Sequence, residues 1–407
     1  MTVTAERAAL RPFRIEIPDA ELADLRARIL RTRWPERETV DDESQGPRLA
    51  TVQELARYWA EEYDWRRCEA RLNAYPGFLT EIDGLDVHFL HVRSPHEDAL
   101  PIVLCHGWPG SVVALLKVVE PLTDPTAHGG RAEDAFHVVI PSMPGYGFSG
   151  KPAAPGWGPD HVGRAWAELM RRLGYDRYVA QGGDWGAIVV DLMAAQEVPG
   201  LAGIHTNMAC VVPAEIDRLF QQNIVGAADA LRHLPAGLSE EERAACTQLD
   251  FTWKHVTYAL QQGSRPQTLT GLADSPVFLA AWLIDLEAKG LALISRAFAG
   301  GHEPLTRDDV LDNVTLFWLT NTGVSAARLY AENSFSFFGV KGVRLPVAVS
   351  VFPDELYLAP RSWAEQGYPN LIHYHRLPAG GHFPAWEQPT SYVDEVRAGL
   401  RSLRQPG

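Results

Sequence analysis

The chain has 407 residues, 46% of them hydrophobic, enough to bury one large core with additions or two separate cores. Its 37 Lys plus Arg stand against 51 Asp plus Glu, and a formal charge of -14 offers no platform for nucleic acid or anionic lipid. Four scattered cysteines exclude a disulfide framework, the first residues lack the apolar stretch of a signal peptide, and no run reaches the roughly 18 apolar residues of a membrane anchor, so a cytoplasmic protein is expected.

Residues 1–10 read as a loose arm and 13–17 as a short edge strand. A helix opens at Pro18-Asp19 with Leu22, Leu25, Ile29 and Leu30 on one face, and Trp34-Pro35 ends it. A polar loop over 37–48 leads to a second helix carrying Val52, Leu55, Trp59 and Tyr63. The aromatics at 63–65 and 72–78 follow no period and are assigned to packing. Residues 1–80 are therefore expected to wrap the main domain without contributing chemistry.

From there strand and helix alternate. Runs 79–82 and 85–92 flank Asp83-Gly84, a hairpin signal. Strands are predicted over 101–105, 136–140, 178–181 and 201–208, with helices over 111–122 and 161–173. Such alternation predicts a mostly parallel sheet covered on both faces, with ligands beyond the C-terminal strand ends. Residues 212–328 read as almost wholly helical, with helices over 240–260, 276–289 and 307–319. They are expected as a cap. Strands resume at 345–351 and 372–377, and a last helix covers 389–403. The predicted division is an extension over 1–80, core over 81–211, cap over 212–340 and core again over 341–407, with about eight strands.

The run Gly182-Gly183-Asp184-Trp185-Gly186, between a predicted strand and a predicted helix, has the shape of a nucleophile elbow with a carboxylate at its tip. Two other strand ends carry Glu355 and His382. Nucleophile, acid, histidine is the chain order of the α/β-hydrolase triad. Each member alone has a plainer reading: an ordinary glycine turn for the elbow, a structural loop histidine for His382. A carboxylate is charged near neutral pH and can attack an sp³ carbon directly. Water deprotonated by His382 would then hydrolyse the ester, with Glu355 orienting the imidazole. Backbone N–H groups of Trp108 and Trp185 would face the oxyanion. His106-Gly107-Trp108-Pro109-Gly110 lacks the ending of a phosphate-binding loop, the elbow lacks dinucleotide spacing, and no local His/Cys/Asp spacing marks a metal site. No cofactor or metal is therefore expected.

With these residues in view, the chain resembles the microsomal-type epoxide hydrolases of the α/β-hydrolase superfamily. The likeness rests on His106-Gly107-Trp108-Pro109-Gly110, Pro144-Gly145-Tyr146-Gly147-Phe148-Ser149, Gln181-Gly182-Gly183-Asp184-Trp185-Gly186 and Gly380-Gly381-His382-Phe383. The resemblance implies an ester on Asp184, Glu355 as the partner of His382 with Asp354 as the alternative, and two cap tyrosines as acids. The tyrosines fall on Tyr258 and on Tyr330, within Arg328-Leu329-Tyr330-Ala331-Glu332-Asn333. A phenol can protonate the oxygen of an opening epoxide.

Trp108, Trp185, Phe148 and Phe383 are expected to line the cleft as substrate-binding walls, with Phe335, Phe337 and Phe338 in the cap. Such walls favour an apolar or aryl epoxide of the styrene oxide type, opened to a vicinal diol by water. The competing enzyme reading is a haloalkane dehalogenase with Trp185 at the halide. A non-catalytic binding protein on the same scaffold is the reading of another class. A detoxifying and a biosynthetic role both stay open, as does a homodimer.

Overall fold

The computed structural model describes residues 9–221, 230–286, 288–301 and 304–404. Most of the arm expected over 1–10 therefore lies outside the described residues.

Among the described residues nine strands form one sheet: β1 Arg11–Phe13, β2 Gly77–Ile82, β3 Leu85–Val92, β4 Leu100–Cys105, β5 Phe136–Pro141, β6 Tyr178–Gly182, β7 Leu201–Thr206, β8 Val347–Val351 and β9 Leu371–Arg376. Their order is β1-β2-β3-β5-β4-β6-β7-β8-β9. The pairs from β5 to β9 are parallel, and β1, β2 and β3 add an antiparallel flank. The expected count of about eight falls one short, and the expected edge strand at 13–17 ends at Phe13. At the β2–β3 turn Asp83 and Gly84 take φ of 50° and 81°, the left-handed pair that a two-residue hairpin needs.

The extension holds α1 Asp19–Leu30, α2 Leu49–Glu61 and α3 Trp65–Asn73. Leu25 and Ile29 of α1 are buried, while Leu30 is 69% exposed because it falls a full step off their stripe. The helix α3 went unseen in the sequence. Its cap is Asp64, whose side chain accepts from the Arg66 amide.

In the core come α4 Leu116–Thr123, α5 Pro159–Arg172 and α6 Trp185–Ala195. The core strands β5, β6 and β8 are buried at every position, as a sheet covered on both faces requires. Between β7 and β8 lie α7 Ala214–Gln221, α8 Glu240–His255, α9 Thr257–Ser264, α10 Gly271–Asp274, α11 Pro276–Ile284, α12 Ala288–Phe298, α13 Arg307–Leu319 and α14 Gly323–Glu332. The helix expected over 240–260 breaks at Val256, whose ψ of 51° separates α8 from α9. After β8 follow α15 Arg361–Gly367, α16 Pro384–Glu387 and α17 Pro389–Leu400.

The extension grips the helical block through α13. Tyr63 Oη donates to Asp312 Oδ1 (2.7 Å), Arg71 pairs with Asp312 Oδ2 (3.0 Å), and Arg307 pairs with Glu54 (2.8 Å). On its other side α13 meets the loop after β4: Asn313 Nδ2 donates to Pro109 O (2.7 Å) and Asn313 Oδ1 accepts from Ser111 (2.7 Å).

Candidate active site

Asp184 sits between β6 and α6 with φ of 53° and ψ of -129°, a pair outside the ordinary left-handed region that a non-glycine residue adopts only under constraint. The constraint is the close crossing of strand and helix. A Cβ on Gly182 would stand 2.2 Å from Gly186 O, and one on Gly186 would stand 2.2 Å from Cys105 O. Gly107 clears space on the other side, since a Cβ there would fall 2.3 Å from Asp184 Oδ1.

The carboxylate is buried and divided between two partners. Oδ1 accepts from the Trp108 amide at 2.6 Å, and Oδ2 lies 3.3 Å from His382 Nε2. His382 Nδ1 in turn hydrogen-bonds Glu355 Oε1. Glu355 is buried, and its Oε1 also accepts from the Leu356 amide at 2.8 Å. Asp354, the alternative acid, turns away to pair with Lys289 at 2.7 Å and stays 56% exposed. Burial pulls the His382 imidazole down, but the charge of Glu355 and the hydrogen bonds to Asp184 and Glu355 outweigh it and hold the ring well above its ordinary value.

Three residues to which the sequence assigns no role, Asn207, Gln181 and Tyr392, complete the support. Asn207, just past β7, donates to Glu355 Oε2 (3.2 Å) and to His382 O (3.4 Å). It accepts from Gln181 Nε2 at 3.2 Å, and Gln181 Oε1 accepts from Tyr392 Oη. The available signal was position: Asn207 follows a parallel strand at its C-terminal end, where functional groups collect. His106 has a different task. Burial pushes it down to about 4, and its neutral Nε2 accepts from the Met143 amide at 3.1 Å, joining the two Gly/Pro-rich loops.

A cavity of about 460 Å³ reaches Asp184 and Trp185 and continues past Trp253, Tyr258, Tyr330, Phe335, Phe337, Phe338 and Leu356. The break at Val256 starts α9 afresh, and Tyr258 on its first turn joins Tyr330 of α14 in the cavity wall. The two rings stand 6.4 Å apart at 85°. Tyr330 lies edge-on to Trp185 at 4.7 Å, while Tyr258 leans on Trp108 at 4.5 Å. Burial, followed by the charge of Asp184, holds the Tyr330 phenol well above its ordinary value, so it keeps its proton at any working pH.

Three expected wall residues, Phe148, Phe383 and Trp108, are not in the lining of this cavity. Phe148 packs against Phe13 (5.3 Å) and His88 (5.4 Å), because β1 of the extension reaches over that loop and claims the ring. Phe383 stacks edge-on to His382 at 4.5 Å and borders two smaller cavities of about 40 and 20 Å³. Trp108 contributes its amide to Asp184 and turns its ring to the tyrosines.

Comparison with known proteins agrees with this geometry. Residues 10–115 match the family described as epoxide hydrolase N terminus, and residues 101–264 match the α/β hydrolase fold. A Stigmatella aurantiaca protein provisionally named epoxide hydrolase is 48% identical over 97% of this chain and 85% of its own length. Epoxide hydrolase 1 of Oryctolagus cuniculus is 34% identical over 97% of this chain and 89% of its own. The crystal structure of juvenile hormone epoxide hydrolase from the silkworm Bombyx mori superposes with a TM-score of 0.81 at 28% identity, covering 98% of this chain and 96% of that one. Among the described residues no helix is long and apolar enough to cross a membrane. With an aspartate, a histidine and an acidic partner joined beneath an aromatic cavity, the chain belongs to the epoxide hydrolase family of the α/β-hydrolase superfamily.

Proposed function

We propose that this epoxide hydrolase converts a bulky apolar or aryl epoxide to its vicinal diol through an ester on Asp184. The observation that carries the reading is the Asp184–His382–Glu355 chain at the floor of a cavity walled by two phenols and further aromatic rings.

The Trp108 amide already holds Oδ1, which leaves Oδ2 as the attacking atom. Oδ2 bonds to one epoxide carbon as the carbon–oxygen bond breaks. Tyr258 and Tyr330 donate to the departing oxygen, and one of them transfers its proton. Esterification removes the charge on Asp184, one of the influences that raise His382, so the ring's proton affinity falls and the neutral imidazole is available to accept a proton from water. Hydroxide adds at Cγ of the ester. The amide of Trp108, joined by that of Trp185 at the start of α6, where an N–H has no partner within the helix, meets the oxyanion. Glu355 steadies the imidazolium. The diol leaves with the proton His382 collected, and the acid proton left on Asp184 restores the phenol.

The aromatic rings support an apolar substrate, since burial and ring contacts supply its binding energy. The four cysteines are buried free thiols, which supports a reducing, cytoplasmic setting. A panel of styrene oxide, a short aliphatic epoxide, a trans-disubstituted epoxide and a haloalkane tests the reading. Styrene oxide is expected to give diol with a higher kcat/KM than the short aliphatic epoxide. The reverse order would remove the aromatic-pocket reading, and turnover of the haloalkane alone would remove the reaction.

A further inference from the structure

Outside this cavity, ligand-type side chains gather at the last edge of the sheet. Strand periodicity places His373 and His375 on one face of β9. The helix α17 packs on that strand and brings Glu395 to the same face. His373 Nε2 lies 2.9 Å from Glu395 Oε2, and His375 Nδ1 lies 2.7 Å from Glu395 Oε1. One ligand atom from each of the three falls within 4.8 Å of the others. The carboxylate is itself held from behind: Ser350 Oγ donates to Oε2 at 2.7 Å, and His205 Nε2 contacts that hydroxyl at 3.0 Å. Outer hydrogen bonds of this kind fix a carboxylate for coordination. Glu395 is buried, His373 is half-buried and His375 is exposed, so the site has a closed back and an open front.

We propose that His373, His375 and Glu395 bind a divalent transition cation of the zinc or copper class. Two imidazoles and one carboxylate are the borderline ligands these ions take, with water at the open position. Bonds of about 2.1 Å to a tetrahedral ion set its ligands about 3.4 Å apart. The present separations of 2.9 Å (His373 to Oε2) and 2.7 Å (His375 to Oε1) therefore need to widen by about 0.5 and 0.7 Å, the larger shift falling on the exposed His375 ring, which can rotate. The sequence hid the site because His373-x-His375 and Glu395 are separated by most of a loop and helix.

No step of the epoxide reaction uses these residues. Their place gives the ion a structural task. The loop between β9 and α17 carries His382, and an ion bound to both elements ties together the two ends of that mount.

The test uses the full chain, stripped with chelator and dialysed. Calorimetric titration with Zn(II) is expected to give one saturable equivalent and a raised Tm, and Cu(II) electron paramagnetic resonance to show coupled nitrogen. In the His373→Ala/His375→Ala double variant the affinity should fall at least tenfold and the nitrogen coupling should vanish. His375→Ala alone, at an exposed position, guards against a variant that fails to fold. Diol formation measured on every sample should be equal with and without the ion, which keeps this test independent of the hydrolase reading. Absence of saturable binding in the parent protein, or equal binding by parent and double variant, overturns the proposal and leaves a hydrogen-bonded charge network.

Discussion

Removing the two phenols tests how the cavity opens an epoxide. Tyr258 and Tyr330 line one cavity from two cap helices, with ring centres 6.4 Å apart, so both stand beside the space a bound epoxide would fill. The oxygen becomes an alkoxide in surroundings of Trp185, Phe337 and Leu356, where an unpaired anion is expensive. Loss of one preorganised donor to such an oxygen commonly slows a reaction by about 10²–10³, or about 2.7–4 kcal/mol. Each Tyr→Phe variant should slow the alkylation step by about that factor, with the second phenol covering part of the loss. Tyr258→Phe/Tyr330→Phe removes both phenolic donors and should slow it by about 10⁴ or more.

The structure supplies the assay. Trp185 lines the cavity 4.7 Å from Tyr330, and the Trp108 amide touches Asp184, so tryptophan fluorescence in a stopped-flow instrument should report ester formation. Ester hydrolysis, read as the later recovery phase, should change far less. An unchanged alkylation phase in the double variant would refute the role given to both phenols.

Four further outcomes are expected. Gly107→Ala should abolish turnover with little loss of fold, since the new Cβ falls 2.3 Å from Asp184 Oδ1; single-turnover rates and circular dichroism check it. Glu355→Gln should slow ester hydrolysis and lower the pH at which His382 titrates, while Asp354→Asn, whose carboxylate pairs with Lys289 at the surface, should match the parent; a pH–rate profile of each separates the two acids. Asn207→Ala removes bonds to Glu355, His382 and Gln181, each worth about 1 kcal/mol, and should lower kcat more than it raises KM. Asp191 is fully buried under the Tyr368 hydroxyl, and burial above all raises it to about 7. The folded state thus keeps a proton that the unfolded chain releases near pH 3.8, so this contribution is complete below that pH and is lost as pH rises through about 7. Asp191→Asn should flatten that decline, on the order of 2–4 kcal/mol, in urea melts taken across the range.

The chemistry was more legible than its surroundings. Asp184 announced itself because a tight strand–helix crossing needs Gly182 and Gly186, and His382 and Glu355 because strands of one sheet end together. The same local logic located the hairpin at Asp83-Gly84 and the helix Arg307–Leu319. Phe148 shows where it stops. Its ring was available to the cleft until β1, a distant segment, packed on it. The helix Trp65–Asn73 was hidden because its first turn follows directly on aromatics that show no period, and only Asp64 marks its start. Asn207 has no motif of its own. Its value comes from β7 lying between β6 and β8, which carry Asp184 and Glu355, and that adjacency belongs to the sheet order.

The central claim is that water reaches the substrate only through Asp184, and a single turnover in ¹⁸O water tests it most directly. With enzyme in excess over styrene oxide, the first diol should carry unlabelled oxygen from the Asp184 carboxylate. The label should appear in that carboxylate by mass spectrometry of the peptide and reach the diol in later turnovers. Label in the first-turnover diol, with none in the Asp184 peptide, would mean direct attack by water and would contradict the account.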